Sequence, residues 1–358
     1  MMKIRRTLPV FGTGRGGYKA SWSAAFLCLA WLAVGMPASA TALPGPVVDS
    51  DWLAKNLDKV VVLDVRKDVK SFAKRAKGAA GPVNPCGPGG KKARKPARGD
   101  GHIPGAVLVN IKKILGKDKP DAKTTIMYLA PEKEKFEKLM QRSGVNQDSA
   151  VVITGKGERM PHTAFMTRLY WTLKYFGFDN AAILNGGTAQ WKQDGNKAEY
   201  GKSKKPAMGD FKASAGRKEV RATMEEMVAL TKGKGDARIL DVRAKPFYLG
   251  LTYNRKVQSP KSRGHIPTAK SFPVDLFVET AGSPAILYDK EDVKKIAKLS
   301  DIDLVATPIV TSCHTGITAT IAWFVISEIL GNKNARVYDG SMHEWSMTGQ
   351  PVESPLEQ

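Results

Sequence analysis

The chain has 358 residues, a length that suits two domains of roughly 150 residues, each large enough to bury its own core. Lysine and arginine (56) outnumber aspartate and glutamate (34), so the net charge is +22. Only three cysteines are present, and a disulfide-stapled scaffold is therefore not expected.

The first 40 residues have the pattern of an export signal. A basic, acid-free start leads into an apolar stretch from Trp22 to Gly35 and then into the small residues Ala38-Ser39-Ala40. The apolar stretch is shorter than the roughly 20 residues that a membrane span needs. We predict a signal peptide over 1–40, a periplasmic or secreted protein and no stable membrane insertion. Arg5-Arg6-Thr7-Leu8 leaves a twin-arginine route open.

Short apolar runs alternate with helical patterns over 45–196, the predicted first domain. This alternation predicts an α/β fold in which a parallel sheet carries helices on both faces. Helices are predicted over Pro131 to Gly144 and Thr163 to Phe176. The predicted strands are Val60 to Leu63, Ala106 to Val109, Ala150 to Ile153 and Ala181 to Leu184.

A basic insertion rich in proline and glycine interrupts the first domain at about 78–100. It contains Cys86 and the run Lys91-Lys92-Ala93-Arg94-Lys95. We interpret the charge as a solvated loop that attracts anions in general, and export makes nucleic acid an unexpected partner. Cys86 is predicted to be an idle exposed thiol, with a sulfur-relay role as the alternative.

Residues 197–218, rich in Lys, Gly, Ser and Pro, are predicted to form a linker to a second domain over 219–356. That domain repeats the alternation of strands and helices. Its predicted strands are Arg238 to Leu240, Ile309 to Thr311 and Ala335 to Tyr338, with a helix over Ile317 to Leu330.

Four pairs of segments recur in the same order, which indicates two copies of one domain. The Asp-Val-Arg and Gly-His-Ile-Pro pairs are expected to be structural, with His102 and His265 not acting as metal ligands. The third pair places Gly155 opposite Cys313, so the first copy cannot perform thiolate chemistry. The pairs are Leu63 to Arg66 with Leu240 to Arg243, Gly101 to Ala106 with Gly264 to Ala269, Val151 to Gly155 with Ile309 to Cys313, and Asn185-Gly186-Gly187 with Asp339-Gly340-Ser341.

Cys313 is the best nucleophile candidate in the chain. It follows a β-branched run and precedes a small-residue loop and a predicted helix. Backbone N–H groups in such a loop and the positive end of a helix dipole favour a thiolate. A buried structural cysteine is the alternative, because free cysteines are commonly core residues.

The loop Cys313-His314-Thr315-Gly316-Ile317-Thr318-Ala319 resembles the active-site loop of the rhodanese family of sulfurtransferases. Tyr338-Asp339-Gly340-Ser341 followed by Glu344-Trp345 is similar to another family signature, as are the second Asp-Val-Arg and Gly-His-Ile-Pro segments. The resemblance implies two tandem rhodanese-like domains, each with a parallel sheet and helices on both faces, of which the second is catalytic.

The resemblance also implies a reaction. A Cys313 thiolate would take a sulfane sulfur from a small anionic donor, thiosulfate or 3-mercaptopyruvate, and pass it to cyanide or a thiol. Loop residues would bind the substrate, and no metal or organic cofactor is needed. A non-catalytic persulfide carrier or sulfur-compound binding module is the alternative. The expected substrate-binding residues are His314, Thr315, Gly316, Ile317, Thr318 and Arg255.

Two departures from the family pattern concern the donor. Thiosulfate-using members have Arg and Lys after the cysteine, where this chain has His314 and Thr315. An arginine that clamps substrate in many members falls on Phe247, and Arg255 and Lys256 are near enough in sequence to substitute. The donor therefore stays open at this point.

Two other chemistries are disfavoured. Gly12-Thr13-Gly14-Arg15-Gly16-Gly17 matches a dinucleotide-binding pattern, but no strand precedes it. A cysteine phosphatase of this fold needs an arginine six residues after the cysteine, and Ala319 stands there.

Overall fold

The computed structural model describes residues 42–75, 98–279, 281–300 and 302–355. The predicted signal peptide, Cys86 and all but the last three residues of the predicted insertion lie outside the described residues.

The first copy is built on a parallel five-stranded sheet in the order β1-β7-β6-β2-β3, with a separate antiparallel hairpin β4-β5. Its elements are β1 Val47–Val48, α1 Ser50–Asn56, β2 Val61–Arg66, α2 Lys70–Ala73, β3 Val107–Asn110, a 3-10 turn Ile111–Ile114, β4 Gly116–Asp118, β5 Ile126–Leu129, α3 Lys133–Arg142, β6 Val151–Thr154, α4 Met160–Tyr175, β7 Ala181–Leu184 and α5 Gly187–Gln193.

The second copy repeats this topology, with the parallel order β8-β14-β13-β9-β10 and the antiparallel hairpin β11-β12. The predicted α/β fold with two parallel sheets is confirmed. Its elements are β8 Arg221–Ala222, α6 Met224–Thr231, β9 Arg238–Asp241, α7 Lys245–Tyr248, β10 Lys270–Ser271, β11 Val278–Glu279, β12 Ile286–Leu287, α8 Lys290–Leu299, β13 Ile309–Ser312, α9 Ala319–Trp323, a π-helical segment Phe324–Ile329, β14 Ala335–Tyr338 and α10 Ser341–Met347.

The apolar strands are buried on both faces because helices cover each side of the sheet. In β6, Val152 belongs to the cluster that contains Trp191 of α5. Its neighbour Ile153 points the other way, into the cluster that contains Leu169 of α4. Among the described residues, no helix has the length and apolar composition needed to cross a membrane.

The predicted linker is packed rather than free along part of its length. Phe211 is fully buried, its ring centroid lies 5.9 Å from that of Phe136, and its N–H donates to the Val145 carbonyl at 3.1 Å. This stretch therefore completes the core of the first copy.

Helices α4 and α9 bring the two copies together. The hydroxyls of Thr167 and Thr320 lie 2.8 Å apart, and the rings of Tyr170 and Phe324 meet edge to face at 4.7 Å. A single hydrophobic cluster runs from residues of the first sheet to residues of the second. The copies thus share one core, and the carboxyl end of β13 lies next to it.

Candidate active site

Cys313 follows the central strand β13, at the carboxyl edge of the second sheet where ligands of α/β folds bind. It is only 2% exposed. Its N–H donates to Ser341 Oγ at 3.1 Å, and its carbonyl accepts from the Met342 N–H at 3.0 Å. The first two residues of α10 therefore bind both the N–H and the carbonyl of the nucleophile candidate.

The loop after Cys313 offers a row of backbone donors. Within the described residues, the N–H groups from His314 to Thr318 donate to no acceptor of the protein. The hydroxyls of Thr315 and Thr318 likewise make no hydrogen bond within this part of the chain. The loop is thus equipped to receive negative charge from a ligand.

The shape of this loop depends on Gly316, whose φ of +74° lies in the left-handed region. A Cβ at this position would overlap the carbonyl oxygen of Asp339. A side chain larger than hydrogen would therefore push the loop away from the end of β14.

His314 contributes no positive charge to the loop at neutral pH. Burial, together with the Arg243 guanidinium, lowers the pKa of His314 from 6.5 to about 4. Its ring meets Phe247 edge to face at a centroid distance of 4.5 Å, and its Nδ1 is buried without a partner among the described residues. Phe247, which stands where many family members carry a clamping arginine, therefore forms an apolar wall.

The lowered pKa of His314 predicts acid sensitivity. The unfolded chain binds a proton near pH 6.5 that the folded chain binds only near pH 4, so the free energy of unfolding falls as pH drops between these values. In His314→Gln we expect this slope to decrease by up to about 1.4 kcal/mol per pH unit. Urea denaturation between pH 4 and 7 measures it, and a slope equal to that of the wild type would contradict the buried, neutral state of His314.

Arg255 is not brought onto the loop. It is exposed, and its guanidinium lies 6.0 Å from the ring centroid of Tyr253. It makes no hydrogen bond or ion pair with 313–318 among the described residues. Its segment adjoins the site through Val257, whose carbonyl accepts from His343 Nδ1 at 2.7 Å. A substrate contact by Arg255 stays a prediction.

The first copy supplies a wall of the site that the sequence did not reveal. The ring centroid of Tyr128 in β5 lies 6.3 Å from that of His343. The backbone N–H of His343 donates to the His314 carbonyl at 2.9 Å. Tyr128 has a φ of +71°, an unusual value for a bulky residue. Its carbonyl accepts from Arg168 Nη2 at 3.1 Å, which supports this conformation.

A buried ion pair joins the copies behind the loop. Arg168 of α4 donates from Nη1 to Asp339 Oδ1 at 2.6 Å, and both side chains are at most 1% exposed. The Ala130 N–H donates to the other carboxylate oxygen at 2.7 Å. Because the Asp339 backbone also abuts Gly316, the first copy helps to fix the position of the Cys313 loop.

The counterpart of the loop in the first copy starts at Gly155, as the repeats predict. The Thr188 N–H donates to the Gly155 carbonyl at 2.8 Å, as Met342 does to Cys313. A cavity of about 480 Å³ lies beside this loop, and Lys156 there is paired with Asp100 and Glu158, each at 3.3 Å. The first copy thus keeps the backbone contact of the Cys313 loop, but it has a glycine at the position of the cysteine.

The Asp-Val-Arg segments connect each sheet to its Gly-His-Ile-Pro turn. Arg66 binds Asp64 and donates to the Gly101 carbonyl at 2.7 Å, while Arg243 binds Asp241 and reaches the Gly264 carbonyl at 2.8 Å. No cluster of three or more His, Cys, Asp or Glu side chains that could hold a metal occurs within the described ranges.

Comparison with known proteins assigns both copies to one family. The rhodanese-like domain family matches residues 49–194 and 223–348. The 3-mercaptopyruvate sulfurtransferase of Escherichia coli K12 is 28% identical over 317 residues, which cover 87% of this chain and 97% of that protein. The thiosulfate sulfurtransferase of Gallus gallus is also 28% identical, over 70% of this chain and 80% of its own.

A solved structure agrees in fold. The crystal structure of SseA from Escherichia coli superimposes with a TM-score of 0.62 and 24% identity, over 83% of this chain and 98% of that one. Two family matches, two sheets of identical order and a cysteine loop at the end of the second lead to one assignment. The chain belongs to the rhodanese family and is a sulfurtransferase with two tandem rhodanese-like domains.

Proposed function

We propose that the protein moves a sulfane sulfur from a small anionic donor to cyanide or a thiol through a persulfide on Cys313. The observation that carries the proposal is the row of five loop N–H groups from His314 to Thr318, which follow the thiol and donate to no acceptor in the described part of the chain. These donors stabilise a thiolate before the donor arrives and the terminal sulfur anion of the persulfide afterwards.

The reaction divides into two transfers. The Cys313 thiolate attacks the sulfur that the donor transfers, and a new S–S bond forms. With thiosulfate, the S–S bond of the donor breaks and sulfite leaves with the electron pair. With mercaptopyruvate, the C–S bond breaks and pyruvate leaves as its enolate, which takes up the proton of the donor thiol. The resulting persulfide carries one extra sulfur and a negative charge. Cyanide or a thiolate then attacks the outer sulfur, the S–S bond to Cys313 breaks, and the Cys313 thiolate is restored.

The loop is better suited to a donor with one negative charge than to one with two. His314 is neutral, Phe247 is apolar, and Arg243 is already held by Asp241 at 2.5 Å. Backbone N–H groups and two hydroxyls suffice for a carboxylate, whereas a dianion gains most from a fixed cation. We therefore propose 3-mercaptopyruvate as the better donor and thiosulfate as the poorer one.

Intact-mass analysis after separate exposure to each donor tests the persulfide. We expect an increase of about 32 Da, one sulfur atom, which cyanide then removes. An unmodified Cys313 with both donors, together with measurable turnover, would contradict the persulfide route.

A cation in the loop should change the choice of donor. Thr315→Lys is expected to raise kcat/KM for thiosulfate by roughly 5- to 150-fold, the equivalent of about 1 to 3 kcal/mol for a charged hydrogen bond. Mercaptopyruvate should gain less, since it carries one carboxylate. Both donors are compared at fixed ionic strength, with Thr315→Met as a control of similar length. Equal gains for both donors would place donor choice elsewhere, with the Arg255 segment the next candidate.

A further inference from the structure

A groove with a basic rim runs along the first copy, between α3, the turn Ile111–Ile114 and the hairpin β4-β5. It encloses about 470 Å³, and we call it the basic groove. Glu132 is the one acidic residue among its described lining. The basic lining residues are Lys112, Lys113, Lys117, Lys135, Lys138 and Arg142.

The charge of the basic groove is mostly uncompensated. Lys135 Nζ lies 2.8 Å from Glu132, whereas the other five cations form no ion pair within the described part of the chain. Lys135, Lys138 and Arg142 follow the spacing i, i+3, i+7 on α3, so they project from one helix face. Five like charges around one cavity favour a ligand with several negative charges.

The floor of the groove is apolar. Leu115, Pro131 and Leu139 line it, together with Met127, whose 40% exposure is high for a large hydrophobic residue. An apolar centre surrounded by a polar rim is the usual arrangement of a protein-binding surface, and the basic rim here adds a preference for acidic partners. None of the described lining side chains is aromatic, so the groove lacks the stacking platforms that bind nucleic acid bases.

The basic groove shares strand β5 with the catalytic site. Met127 lines the groove, and the next residue, Tyr128, forms the wall beside His343. A molecule bound in the groove therefore lies next to strand β5, which contacts α10, and α10 in turn binds the His314 carbonyl through the backbone N–H of His343.

We propose that the basic groove binds an acidic segment with apolar side chains on a partner protein, and that this partner supplies the acceptor thiol. The acceptor role rests on the proposed function, whereas binding does not. In the transfer, the partner's thiolate attacks the outer sulfur of the Cys313 persulfide, the S–S bond to Cys313 breaks, and the partner leaves as a persulfide.

Fluorescence anisotropy with the full chain at low salt tests the groove. The probe is a fluorescein-labelled 12-residue peptide of alternating Glu and Leu pairs. Lys113→Glu/Lys138→Glu/Arg142→Glu should bind it about 10-fold more weakly than the wild type, because three favourable charge pairs become repulsive. The control Lys232→Glu/Lys234→Glu/Lys290→Glu carries the same change of charge on exposed positions of the second copy and should stay within about 2-fold.

Three results would overturn the proposal. If the control variant binds the peptide as weakly as the groove variant, net charge alone explains the binding. An all-Glu peptide or a 12-nucleotide single-stranded DNA that binds as tightly as the probe would remove the need for the apolar floor. Sedimentation velocity could also show that the wild type and the control self-associate while the groove variant does not. The ligand of the groove would then be a second copy of the chain.

Turnover with cyanide, measured on the same wild-type sample, separates this inference from the proposed function. Turnover without peptide binding would contradict the inference about the basic groove and leave the proposed function intact. Binding without turnover with either donor contradicts the proposed function and, with it, the acceptor role.

Discussion

Replacement of Cys313 by serine should abolish sulfur transfer, with turnover falling by more than about 10³-fold. A serine hydroxyl cannot form a persulfide, and the described residues place no other thiol in the loop. Because the exchange of sulfur for oxygen is small, the fold should survive. Turnover with mercaptopyruvate and cyanide, together with circular dichroism, measures both expectations.

Cys86→Ser is the matched control for this result, since it removes the other thiol that lies beyond the predicted signal peptide. It should keep turnover close to that of the wild type. Retained activity in Cys313→Ser would place the chemistry elsewhere, and a large loss in Cys86→Ser would make Cys86 a relay thiol.

The second large effect is expected at the ion pair between the copies. Arg168→Met removes the closer of the two counterions of the buried Asp339 carboxylate and leaves it only Arg221 Nη2 at 3.5 Å. We expect a loss of about 3 kcal/mol in the free energy of unfolding, the lower end of the range for a broken buried ion pair. Turnover should fall as well, because Asp339 abuts Gly316 of the loop. Urea denaturation and steady-state kinetics on the same protein measure the two effects.

Two further variants identify the cause of that loss. Tyr170→Phe removes another contact between the copies, the hydrogen bond to Glu328 at 2.8 Å, and should cost only about 1 kcal/mol. The double variant Arg168→Met/Asp339→Asn should be more stable than the sum of its single changes, because Asp339→Asn removes the carboxylate that Arg168→Met leaves with only the more distant Arg221. Additive losses would show that the two side chains are not coupled.

Local patterns in the sequence were sufficient to predict four strands of the first sheet and three of the second, but not the two-residue edge strands β1, β8 and β10 or the two antiparallel hairpins. Continuous apolar runs mark strands that helices cover on both faces, and Ala181–Leu184 and Ala335–Tyr338 occur as predicted. The repeats also aligned Gly155 with Cys313. The structure agrees with this alignment, because the carbonyls of the two residues accept equivalent hydrogen bonds from the N–H groups of Thr188 and Met342. These features depend on short stretches of chain, which a single sequence displays directly.

Contacts between the copies could not be predicted in this way. Tyr128 and Arg168 reach the site only because α4 packs on α9, and no local pattern encodes that arrangement. The helix predicted over Ile317 to Leu330 starts two residues later and widens into a π-helical segment at Phe324–Ile329. There Tyr170 packs against Phe324, a long-range contact that spacing along the chain does not report.

The shared core makes the second copy depend on the first. The second copy excised at 219 would expose the apolar face of α9, lose Arg168, the closer of the two arginines that pair with Asp339, and lack Tyr128 beside His343. Substitutions in the first copy are therefore expected to affect the Cys313 loop, although the first copy has Gly155 at the position that corresponds to Cys313. The first copy thus supports the loop of the second mechanically, whatever chemistry that loop performs.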